Sequence, residues 1–146
     1  MRAELNAWNN GDGIDLSSWV GCEGNFRLAA GYAAIFWPEF VAFEDYILTD
    51  GFSIESLRGF EKQKDGTPKS VEWAMNHLHI ADIQHWGCPD ISRDKLVFLG
   101  KTLEEIYAAK LKFDFPDKPC TVEFYQPENP EDLTEYQLSF WQKKHA

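Results

Sequence analysis

The sequence predicts an α+β fold: a helical layer with a long antiparallel helix pair, packed on a small antiparallel sheet of hairpins. Three observations predict it. Residues 67–86 and 92–113 are two long stretches of helical character, joined only by the short "GCPD". "CTVEFYQ" and "YQLSFWQ" near the end alternate apolar and polar positions, as paired strands do. "EFVAFEDYILTDGF" is rich in aromatic and β-branched residues, with acids at its middle and end, which suits two short strands.

The elements follow in order. Residues 1–13 are polar and rich in Gly and Asn, with Leu5 and Trp8 as possible anchors. Asp15 is placed to N-cap a short helix through Val20, because a carboxylate there accepts from free amides of the first turn. "GCEG" interrupts that helix. Asn25 can cap the next, over 26–37. "FRLAAGYAAIFW" is apolar nearly all round, which predicts burial on most sides, and Pro38 ends it. Strands are predicted over 39–43 and 46–49, turning at Glu44 and Asp45; a helix starting at Pro38 is the rival reading. Ser53 caps a helix over "SIESLRGFEKQ". Thr67 as N-cap with Pro68 at the first helical position starts the longer helix to about Trp86. A second long helix starts near Ser92 and runs to about Phe113, with Leu96, Leu99, Leu103, Ile106 and Tyr107 at three- and four-residue steps. The two tail strands are joined by "PENPEDLTE" as a hairpin with a longer loop.

At 146 residues, 44% hydrophobic and 15% aromatic, the chain holds enough apolar material for one folded domain spanning 1–146. No apolar run reaches the ~18 residues of a membrane helix. The start, "MRAELNAWNNGDG", lacks the order of a signal peptide, so the expected location is the cytoplasm, away from membranes. Cys22, Cys88 and Cys120 are odd in number and far apart, which predicts reduced thiols. The formal net charge of −10 repels phosphate backbones and argues against nucleic acid as a ligand. It is compatible with a basic protein partner.

Chemistry is concentrated in "HLHIADIQHWGC", which carries three of the four histidines. On a helical wheel at ~100° per residue, Asp82 and His85 fall on the apolar face with Val71, Ala74, Met75, Leu78, Ala81 and Trp86, three residues apart. His79 and Glu72 sit at its edge, and His77 points away. An acid on an apolar face is costly unless paired, so Asp82 is predicted to be buried and bonded. Three readings stand. The first is a structural Asp82–His85 pair that docks the helix. The second is an oriented general base at the floor of a pocket, with His79 nearby; no nucleophile partner can be named for it. The third is zinc held by His85 and Cys88, with His79 on the same side and Cys22 or Cys120 completing the set; no ligand pair has the usual spacing. No motif for a cofactor, phosphate loop or hydrolase nucleophile is present, and none is expected to bind. Glu104 and Glu105 read as solvated.

"IFWPEF" (35–40) together with "NHLHIAD" (76–82) resembles uncharacterised small bacterial proteins. The resemblance implies a stand-alone accessory protein of bacterial type and carries no activity with it. Six Trp, five Tyr and eleven Phe are a large aromatic load for one small domain. Some should reach the surface and mark an interface or cleft, Trp8, Trp37, Trp86 and Trp141 foremost. The expectation is therefore a protein that works by binding a protein or a small ligand, self-associating into a homo-oligomer. The alternative is a small enzyme or ligand-binding protein with its pocket around Asp82 and His85.

Overall fold

The computed structural model describes residues 1–84 and 87–146. They form two compact units, Met1–Ile35 and Phe36–Ala146, and the fold is α+β.

In the first unit, α1 (Arg2–Asn6) leads through a short 3-10 turn to α2 (Leu16–Glu23), which starts where Asp15 accepts from the Ser18 amide at 2.9 Å. The helix runs on through Cys22 and stops at Gly24. Asn25 caps α3 (Phe26–Phe36) by accepting from the Leu28 amide at 2.9 Å. The caps stand as read. The burial of α3 does not: none of its residues is buried, and Phe26 and Leu28 are exposed.

The second unit is built on two sheets. Strands β1 (Phe40–Phe43) and β2 (Tyr46–Thr49) form an antiparallel hairpin that turns at Glu44 and Asp45, so the rival helix from Pro38 is excluded. Glu44 takes a left-handed φ of 53°, uncommon for a residue with a side chain. Arg58 of α4 (Ile54–Glu61) ties its carboxylate down and also reaches Glu61 at 2.9 Å. Ser53 caps α4 and Thr67 caps α5 (Pro68–Asn76), each through its hydroxyl oxygen.

The long helix predicted to continue to residue 86 ends at Asn76, and this corrects the antiparallel helix pair. His77 is extended, and β3 (Leu78–His79) pairs with the last strand; a 3-10 turn follows over Ile80–Ile83. The reason is competition for backbone partners. The edge of β5 (Gln137–Gln142) offers ladder bonds to Leu78 and His79, and the Ile80 amide bonds the Tyr136 carbonyl at 2.9 Å. The Asn76 side chain meanwhile bonds backbone outside its own helix. The single long helix among the described residues is α6 (Arg93–Asp114). Of its predicted stripe, Leu96, Leu103 and Tyr107 are buried and Leu99 and Ile106 half-buried, and Leu111 is buried one turn on. Strand β4 (Cys120–Tyr125) pairs with β5 as predicted, giving the order β3-β5-β4. Gly100 of α6 lies under Phe124, whose ring would be 2.1 Å from an added Cβ, so only glycine lets helix and sheet approach this closely.

Candidate functional site

The side chains of α5 join the two sheets. Glu72 is 0% exposed and accepts four hydrogen bonds. Oε1 takes the Ile47 amide of β2 at 2.9 Å and Gln142 Nε2 at 2.6 Å. Oε2 takes the Gln142 amide of β5 at 2.7 Å and His145 Nδ1 at 2.9 Å. A carboxylate has about four acceptor positions, so this one is saturated. Four residues along the same helix, Asn76 accepts from the Thr49 amide at 3.1 Å and donates to the carbonyls of Ile47 at 2.9 Å and Phe140 at 3.3 Å. Ser139 donates to the Trp73 carbonyl at 2.7 Å. One helix thus satisfies an edge of β2 and, beyond β3, an edge of β5. Unpaired strand edges invite foreign strands, and these two are closed by side chains.

The C-terminal turn completes this seam. His145 sits between two carboxylates, with Nε2 3.3 Å from Asp45 Oδ2, and Lys144 also bonds Asp45. Lys144 first, then His145, hold the Asp45 carboxyl below its ordinary pKa. Cys120 lies nearby; burial first, then the charge of Glu72, pushes its thiol up to about 11. The sequence reading missed His145, the fourth histidine, because "QKKHA" has no periodicity that would place it. It placed Glu72 only at the rim of an apolar face. The spacing of Glu72 and Asn76, four apart on the packing side, was the available signal.

Glu104 corrects another expectation. It is half-buried and accepts from the Phe124 amide of β4 at 3.0 Å, so it is a further edge cover rather than a solvated acid. Glu105 is exposed as read.

Of the predicted site residues, His79, Asp82 and Cys88 are described, and His79 and Asp82 lie on different elements. Asp82 lies on the 3-10 turn and is exposed, contrary to the wheel, because the helix that would carry it inward ends six residues earlier. His85 and Trp86 lie outside the described residues, so the Asp82–His85 pair and the zinc set with Cys88 do too. His77 is exposed and sets Nδ1 2.6 Å from the Ala74 carbonyl. His79 is half-buried with Nδ1 2.7 Å from the Thr134 carbonyl, and its ring meets that of His77 edge-on at 5.3 Å. Among the described residues no group of three His, Cys, Asp or Glu side chains is placed to hold a metal. Cys88 donates to Asp90 Oδ1 at 3.1 Å, and this bond, then burial, raises the thiol pKa. Cys22, Cys88 and Cys120 are free thiols.

Two surface features remain. A hollow of about 140 Å³ lies between the 3-10 turn, residues 88–91 and the first turns of α6. Trp37 and Phe113 pack together at 6.5 Å while staying 52% and 76% exposed. Lys110 lies 5.3 Å from the Trp37 ring and pairs with Asp114 at 2.6 Å. Trp141, by contrast, is buried, with Lys69 4.7 Å from its ring. No helix among the described residues is long and apolar enough to cross a membrane. No family model, curated protein or solved structure matches the chain.

Proposed function

We propose that the protein works by binding rather than by catalysis, and that its first partner is a second copy of itself. The observation that carries this reading is the Trp37–Phe113 pair. Two large rings in mutual contact stay largely in water, on an acidic chain. Such apolar area is costly to leave uncovered and is typical of interface centres. The patch is also held in place. The Lys110 ammonium, itself buried, faces the Trp37 ring and is anchored by Asp114, so the indole is ordered before any partner arrives. The most enclosed carboxylate, Glu72, is saturated by protein donors and cannot reach a substrate. The three free thiols fit a reducing compartment, in keeping with a cytoplasmic accessory protein.

Light scattering across a concentration series tests this. The expected result is a dimer or larger at micromolar concentration. Phe113→Ser should return the chain to its 16.8 kDa monomer while keeping its folded circular dichroism spectrum. A wild-type protein that stays at 16.8 kDa throughout overturns the reading.

A further inference from the structure

We infer that the hollow beside the 3-10 turn binds a compact molecule, the size of one six-membered ring, that carries a single hydrogen-bond donor: a small amine or alcohol. Its size comes first. The hollow measures about 140 Å³, close to the roughly 150 Å³ of an apolar cavity that takes up one benzene ring. Its walls come second. Ile80, Ile83, Ile91, Leu96 and Leu99 line it with Ala81, and Ile80 and Leu96 belong to the buried core, so the floor is rigid. A site of this kind is apolar with a few polar groups that fix orientation.

The polar groups set the ligand's chemistry. Gln84, Cys88, Asp90 and Lys95 are the polar residues of its lining. Lys95 Nζ donates to the Asp90 carbonyl at 2.8 Å and lies 3.7 Å from Asp90 Oδ2. Cys88 donates to Asp90 Oδ1. The thiol first, with Lys95 adding to it, holds the Asp90 carboxyl below its ordinary pKa. Asp90 is therefore an ionised acceptor, and its side chain is 65% exposed. The lysine is already engaged, whereas the carboxylate has room for another donor. A net charge of −10 adds to the preference against anions. The Cys88 thiol, held protonated, acts as a wall of the site and not as a nucleophile.

The test uses the full chain and three probes of one shape: benzylamine, benzyl alcohol and benzoate. Each is titrated to about 10 mM, a range suited to weak ligands, while methyl signals of the pocket isoleucines and leucines are followed by NMR. Alkylation of Cys88 is timed in parallel, with exposed Cys22 as the internal reference. The amine and the alcohol should shift Ile83, Ile91 and Leu99 and slow alkylation of Cys88 but not of Cys22. Benzoate should bind about fivefold more weakly, the scale of one exposed charge interaction. Asp90→Asn should weaken the amine by a similar factor and leave the alcohol nearly unchanged. Ala81→Leu should fill the hollow and abolish all three shifts. Should that variant fail to fold, the Asp90→Asn comparison still decides. No shift with any probe overturns the site, and benzoate binding as well as the amine overturns its donor preference.

Discussion

Two regions of the second unit carry acids, a histidine or two and a cysteine, and they use them in opposite ways. In the seam under α5, Glu72 meets four donors, His145 lies between two carboxylates, and Cys120 is half-buried beside them. In the turn that follows α5, Asp82 is exposed, His77 and His79 place ring nitrogens against backbone carbonyls, and Asp90 is largely open to solvent. A carboxylate whose acceptor positions are filled by backbone amides holds strands together; one with an open oxygen can take a ligand. Histidine count points the wrong way here. His77 and His79 rest on backbone carbonyls, whereas the lone histidine near the C-terminus lies between two carboxylates.

The largest effect is expected at Glu72. Glu72→Ala removes the acceptor for the amides of Ile47 and Gln142 and strands His145, and should cost about 3–5 kcal/mol in urea melts, the range for breaking a buried ionic network. A cost under about 1 kcal/mol would place Glu72 in the same class as a surface acid. Next is Gly100, where α6 meets β4. Gly100→Ala drives a methyl into the Phe124 ring and should cost about 1–3 kcal/mol by thermal melting. An unchanged melt would mean that the helix and sheet are not in close contact.

The pH response sharpens the same contrast. The folded Cys120 thiol titrates at about 11 against an ordinary 9.0. Its folded pKa is raised, so stability is full below pH 9 and falls as the pH rises towards 11, where the unfolded thiol ionises and the folded one does not. Cys120→Ser should remove that slope in melts taken across this window. The smallest effects belong to the turn. Asp82→Ala and His77→Ala should each fall within about ±0.5 kcal/mol, as exposed substitutions usually do. Either one exceeding about 1 kcal/mol would return that residue to the packing side.

Local chemistry made much of this fold legible. Asp15, Asn25, Ser53 and Thr67 sit where short polar side chains precede apolar runs, and each caps as read. The hairpin β1–β2 followed from aromatic and β-branched residues around Glu44 and Asp45, and β4–β5 from alternation. What failed was a wheel extended past Asn76. Nothing within 70–86 marks a break, since the break is imposed by β5, some sixty residues further along the chain. The expected burial of Asp82 failed for the same reason, because it depended on that helix. Glu104 looked solvated for a related one: its partner is a backbone amide of Phe124, invisible to any side-chain pattern.

Helix α5 closes the open edges of two sheets with Glu72 and Asn76. Amide hydrogen exchange on the unmodified protein tests it most directly. The amides of Ile47, Thr49 and Gln142 bond to side chains of α5. They should be as protected as the amides within the β4–β5 ladder, since they would open only with the seam. Exchange of these three at the rate of free, solvent-facing edge amides, with the ladder amides still protected, would contradict it.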